Sequence, residues 1–216
     1  MSSSQVFLSD ALLWVEGLAA IIALFFYLKG AVKNFWGYFS CYLVLVFTCE
    51  LLAKYGWNWI GFSKAHFYNY FVIPLQFLFF YWLYAFKSLK KRGLFVICSL
   101  LYLVSFIPSE FYFRENKIIF SFNYTFGSLI LMILVVMEYY KQITSADIVN
   151  FDRNRMFYIN LGVTLFYIGT LPFWTFYYQL LQYMQIWNIY FDYFLLSGIA
   201  MYVLFSISFI WGRPSS

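Results

Sequence analysis

Seven stretches of this chain are almost uninterruptedly apolar, at roughly residues 7–28, 36–54, 66–86, 94–113, 120–140, 156–178 and 188–211. A helix needs about 20 mostly apolar residues to cross the hydrocarbon core of a bilayer. Within that core, only elements that satisfy their own backbone hydrogen bonds persist. The pattern therefore predicts an all-α integral membrane protein, a seven-transmembrane-helix bundle forming a single transmembrane domain over residues 1–216. Composition agrees: 64% of residues are hydrophobic and 11% charged, against about 25% charged in a soluble domain. No stretch is long enough for a separate soluble domain. The leading segment MSSSQVFLSD has no Lys or Arg, so the first apolar run reads as a permanent span, not a cleavable signal peptide. Pro172 is expected to bend the sixth span near its end.

Direction follows from the basic residues, which are retained on the cytoplasmic side. Lys29, Lys33, Lys87, Lys90, Lys91, Arg92, Lys141, Arg153, Arg155 and Arg213 fall after spans one, three, five and seven, ten in all, against four (Lys54, Lys64, Arg114 and Lys117) on the other side. The count predicts an outside N-terminus and a cytoplasmic C-terminus in a bacterial inner membrane. The cluster Lys87, Lys90, Lys91 and Arg92 is first a topology signal, with contact to anionic lipid as a by-product. It and the loop at 141–155 are also the expected contact points for a separate cytoplasmic or membrane protein partner. A homo-oligomer is compatible with the pattern. The basic loops lack interleaved aromatic residues, so no direct nucleic-acid contact is expected.

Polar side chains inside a bilayer are costly and usually face a bundle interior or a wet cavity. Glu16 lies about nine residues into the first run, or about 13 Å at 1.5 Å per residue. Glu50 lies one turn from the outer end of the second. His66, Asn69, Ile73 and Gln76 form a stripe at i, i+3, i+7 and i+10, and Asn188 and Asp192 share a face at i and i+4. These residues gather in the outer half. Glu16, Glu50, His66, Asn69, Gln76, Asn188 and Asp192 are therefore the candidate ligand-binding set. Two readings are open: an interhelical packing network, whose bonds average about 0.6 kcal/mol, or a pocket opening outward. Aromatic segments collect on the same side, at 55–62, 111–113 and 173–178. With nearby carboxylates these would suit an organic cation; they would equally form an interfacial belt. Toward the inner end, Glu138 is spaced to pair with Lys141 at i+3.

Several chemistries are disfavoured. A single histidine cannot supply the ligand set of seven-span zinc hydrolases, and no lysine in the last span could carry a retinal Schiff base. Cys41, Cys49 and Cys98 sit in apolar runs without a CxxC spacing, which argues against a disulfide framework or a zinc site. No nucleotide-binding or hydrolase motif occurs. No cofactor or metal is expected and no catalytic residue is assigned. Carboxylate-only chemistry on a lipid stays open as an alternative to a non-enzymatic role.

The runs HFYNYFVIPLQFLFF at 66–80 and MFYINLGVTLFYIGTLPFW at 156–174, with a Glu late in the second span, resemble small uncharacterised seven-span proteins of Bacteroidota. That resemblance implies either a sensor-like membrane module or a membrane accessory of a defence system, and it transfers no site residues. The expected function is ligand or partner binding through the outer-half pocket, relayed to a separate cytoplasmic partner. A defence-associated effector or pore is the rival.

Overall fold

The computed structural model describes residues 2–30, 36–56, 63–113, 121–144 and 153–212. The aromatic stretch at 57–62, the loop at 114–120, most of the loop at 141–155, and Lys33, Arg114, Lys117 and Arg213 lie outside the described residues. Seven helices are long and apolar enough to cross a membrane. In chain order they are α1 (Ser3–Leu28), α2 (Trp36–Tyr55), α3 (Lys64–Ser88), α4 (Arg92–Tyr112), α5 (Phe122–Thr144), α6 (Arg155–Thr175) and α7 (Met184–Ile210). A short helix, Tyr177–Leu180, precedes α7. The starts are capped locally. Ser2 and Gln5 form a reciprocal capping box on α1, Ser63 accepts from the His66 amide on α3, and Asn154 accepts from the Met156 amide on α6.

Interhelical hydrogen bonds fix the register. Gln5 donates to Asn188 at 3.2 Å and Tyr202 to Glu16 at 3.0 Å, so α1 and α7 run parallel. Lys54 pairs with Asp10, and the Ser40 hydroxyl donates to the Ala23 carbonyl, which sets α2 antiparallel to α1. Asn123 reaches Asn69, and Ser88 reaches Glu138, so α3 and α5 are parallel. Tyr167 donates to Gln76, and Thr125 meets Thr175, placing α6 antiparallel to both. The result is an up-and-down bundle with the two termini at opposite ends.

The helices sort into an apolar outside and an aromatic inside. On α1, Phe7, Trp14, Ile21 and Leu28 are exposed at seven-residue spacing, while Ala19, Ala20 and Ala23 on the other face are buried. On α4, Val96, Ile97, Leu100, Leu101, Val104 and Ile107 are all exposed. Contiguous apolar surface on this scale does not face water; it is the surface a lipid-embedded bundle presents. Inside, Phe39, Phe77, Phe80, Tyr81, Tyr84, Tyr102, Tyr167 and Phe205 have almost no accessible surface. Small residues let the aromatic rings in, as is usual in membrane bundles. A Cβ at Gly127 would lie 2.9 Å from both the Phe77 and Tyr102 rings, and the Gly127 carbonyl accepts the Tyr81 hydroxyl at 2.8 Å.

Pro74, Pro108 and Pro172 each sit beside a π-helical segment: Tyr68–Val72, Ser109–Phe113 and Thr164–Ile168 respectively. A proline removes one backbone donor and crowds the preceding turn, and a π turn is one way a helix absorbs that mismatch ahead of Pro74 and Pro172; the segment at Ser109–Phe113 follows its proline instead. After its π segment, α6 turns at Gly169–Thr170 and restarts as Leu171–Thr175 with Pro172 in its first turn, so the bend expected there begins just ahead of the proline.

The far end holds two buried charges. Glu138 is almost fully buried and accepts from Ser88 at 2.6 Å and Gln142 at 3.3 Å, with Lys141 3.7 Å away. Arg155, counted above as a loop cation, is instead buried. It donates to the Ser208 and Gly212 carbonyls at 3.1 and 2.9 Å and lies over the Trp36 and Phe209 rings. It thus satisfies carbonyls that the end of α7 leaves open.

Gly127→Ala should destabilise the bundle by about 1–3 kcal/mol, the usual cost of overpacking. Unfolding in mixed micelles would measure it, and an unchanged midpoint would show that the α3–α4–α5 contact has room to spare.

Candidate functional site

A cavity of about 620 Å³ opens between the helices at the end that carries the N-terminus. That volume lies within the range of small-molecule sites. Six helices, α1, α2, α3, α5, α6 and α7, build it together with Ser121 just ahead of α5, and no α4 residue is among the described residues of its wall. The α7 wall is Phe191, Phe194, Leu195, Gly198 and Tyr202, a single face at helical spacing. The α6 wall is Phe166, Tyr167 and Trp174, and α3 supplies Lys64, Ala65, Tyr68, Asn69, Val72, Ile73 and Gln76. Two π segments thus contribute directly: Tyr68, Asn69 and Val72 belong to the one in α3, Phe166 and Tyr167 to the one in α6. Such segments recur at functional sites because they turn side chains away from the regular helical repeat.

Two carboxyl groups face this space. Glu16, 3% exposed, accepts the Tyr202 hydroxyl at 3.0 Å. Glu50, one helix away, accepts the Tyr68 hydroxyl at 2.7 Å. Deeper, Gln76 accepts the Tyr167 hydroxyl at 2.8 Å. Below them Phe77, Phe80, Tyr81, Leu83 and Phe205 pack without accessible surface and close the floor. At the rim, Lys54 is paired with Asp10 and Lys64 is exposed.

Of the seven candidate residues, the structure brings four together, Glu16, Glu50, Asn69 and Gln76, and leaves three outside. His66 is exposed, bonded through Nδ1 to the Ser63 hydroxyl at 2.5 Å, and borders a shallow apolar depression with Phe67, Tyr70 and Phe71. The stripe expected from an α-helical repeat breaks there because the π segment Tyr68–Val72 takes in extra residues per turn, rotating His66 away from Ile73 and Gln76. Asn188 is used up in tying α7 to Gln5 of α1. Asp192 lies beside the cavity face of α7, not on it. One of its carboxyl oxygens is buried without a hydrogen-bond partner among the described residues.

The basic cluster Lys87, Lys90, Lys91 and Arg92 occupies the α3–α4 turn at the opposite end. Lys87 lies 5.1 Å over the Trp82 ring and 4.9 Å over Phe86, and Arg92 lies 5.5 Å over Phe86. Lys90 adopts a left-handed backbone with φ of 57° and is exposed with Lys91 and Arg92.

What the sequence reading missed is the tyrosine set. Tyr68, Tyr167 and Tyr202 hold the cavity's polar groups, but 21 tyrosines in the chain offer no spacing that marks these three. Compared with known protein families, curated proteins and solved structures, the chain gives no match, so the cavity is read from its own residues.

Removing the Tyr202 hydroxyl leaves a buried carboxyl without its donor. Tyr202→Phe should therefore cost about 1–3 kcal/mol. In the Glu16→Ala background, where no side-chain acceptor is left at that position, the same change should cost measurably less, the non-additivity expected of contacting groups. Equal losses in both backgrounds would mean that the pair does not interact.

Proposed function

We propose that this is a non-enzymatic multi-pass protein of a bacterial inner membrane, a sensor or accessory subunit. It binds a small ligand in the cavity and relays occupancy to a separate partner at the basic end. The observation that carries the reading is the cavity itself: an open mouth, a closed floor, aromatic walls and two inward carboxyls. The ten-to-four bias of basic residues described above supports placing the cavity mouth outside and the Lys87–Arg92 turn in the cytoplasm. The packed floor favours a binding site over a pore through one chain.

The relay has a physical candidate in α3. Its first π segment, Tyr68–Val72, lines the cavity, and its second, Trp82–Ser88, ends at the basic turn. Between them runs a single α-helical stretch, Ile73–Tyr81. A π turn can shift along a helix at small cost compared with unwinding it, because nearly all backbone bonds are kept. A ligand that moves Tyr68 or Gln76 would pull on the segment that positions Lys87. Coupling of this kind requires that the ligand bind the two arrangements of α3 unequally.

Two measurements test this. In a chain with Cys41, Cys49 and Cys98 changed to Ala, Ser9→Cys places a thiol on the cavity wall. Plugging the cavity with a bulky thiol reagent should change amide hydrogen exchange across Trp82–Ser88; unchanged exchange there would contradict the relay. For orientation, alkaline phosphatase fused after Lys90 should be silent and fused after Ser121 active, and the reverse would overturn it.

A further inference from the structure

We infer that the cavity's ligand is an organic ammonium ion, seated between Glu16 and Glu50 and against the faces of the tyrosines and Trp174. This rests on the proposed reading of the cavity as a ligand site and names what enters it. The first support is a contrast among acidic side chains. Away from the cavity, Asp10 is paired with Lys54 and Glu138 has Lys141 at 3.7 Å, while Asp192, just beside the cavity, keeps one buried carboxyl oxygen without a hydrogen-bond partner among the described residues. Inside it, Glu16 and Glu50 each accept one tyrosine hydroxyl, and among the described residues neither has a Lys, Arg or His within ion-pair distance. Glu16 is only 3% exposed, yet it lines the open space, and no described residue hydrogen-bonds its second carboxyl oxygen. Two carboxyls gathered in one low-dielectric space, with the lysines Lys54 and Lys64 at its rim and no described cation within ion-pair distance of either carboxyl, form a seat for a cation from outside.

The second support is the wall. Tyr68, Tyr124, Tyr167, Tyr202 and Trp174 surround the carboxyls, and electron-rich ring faces attract alkylated ammonium groups. A bare divalent ion fits less well: no group of three His, Cys, Asp or Glu able to hold a metal occurs among the described residues, and the cavity is far larger than one ion. The rim does not forbid passage. Lys54 is offset by Asp10, and Lys64 is exposed to solvent that screens it. Protons compete for the same carboxyl oxygens, so binding should weaken as the pH is lowered.

The ammonium group could belong to a soluble amine or to an aminophospholipid headgroup, and the experiment separates these. The full chain is placed in nanodiscs of phosphatidylglycerol and titrated with the probe (2-hydroxyethyl)trimethylammonium, reading tryptophan fluorescence. The neutral isostere 3,3-dimethylbutan-1-ol serves as the matched control. Saturable binding of the cation is expected, with at least tenfold weaker binding of the isostere. Glu16→Gln and Glu50→Gln should each weaken the cation at least tenfold and leave the isostere unchanged. The wild-type comparison stands even where a variant folds poorly. Adding phosphatidylethanolamine to the discs assigns the source: a reduced apparent affinity points to the lipid headgroup and an unchanged one to a soluble amine, and both support the ammonium class. Equal binding of cation and isostere would overturn the ammonium proposal and leave a ligand site of another kind. Binding of neither would also overturn it, while the plugging experiment judges the relay independently.

Discussion

The contact between Glu16 and Tyr202 is the constraint around which the bundle is arranged. An acidic side chain near the centre of a membrane helix costs about 2.5–3.5 kcal/mol on insertion scales, so it needs a donor at a fixed place. Tyr202 provides one at 3.0 Å, which sets the depth of α7 against α1. The pair Gln5–Asn188 holds the same two helices about three helical turns nearer the N-terminus. Once α1 and α7 are in parallel register, α2 must close over Glu16 from the other side, and Glu50 arrives with it. The cavity is what remains between these helices and α3, α5 and α6.

Aromatic packing then decides where the space ends. Phe77 lies against Tyr81, Tyr102, Tyr124 and Tyr167 at centroid distances of 5.3 to 6.1 Å, in the tilted and edge-on arrangements that aromatic rings prefer. Rings of this size fill the middle of the bundle only because Gly127 and the alanines of α1 leave room. Above that plug, the walls carry hydroxyls and carboxyls; below it, Glu138, Ser88 and Lys141 form a compact, internally satisfied group. The two ends therefore differ in kind. One is open, with two carboxyls held by tyrosine hydroxyls, and the other closes over a carboxyl that has its own lysine beside it.

Much of the fold was legible in the sequence, because length and hydropathy fix a membrane helix more firmly than anything else in a chain. Each span was recognised, and the ends moved by a few residues, as with α7, which starts at Met184 instead of 188. The polar gathering at one end was legible too, through Glu16, Glu50, Asn69 and Gln76. The failures share a cause. His66 and Asp192 were placed by an ideal 3.6-residue repeat, and α3 departs from that repeat through its π segment, while on α7 the cavity face falls one position to the side of Asp192. Arg155 looked like a loop cation because its partners, the Ser208 and Gly212 carbonyls, belong to the backbone and leave no mark in the sequence. The tyrosine donors were hidden by their own abundance.

The account stands on the cavity being open at the N-terminal end and closed in the middle. The most direct check is a cysteine-accessibility scan down α3, at Lys64, Asn69, Gln76 and Phe80, in a background without native cysteines. A water-soluble, membrane-impermeant thiol reagent added from the N-terminal side should label the first three positions at rates falling with depth, and spare Phe80. From the opposite side it should label none of them. Labelling of Asn69 or Gln76 from the opposite side, or protection of both from the N-terminal side, would contradict the structure of the site and everything built on it.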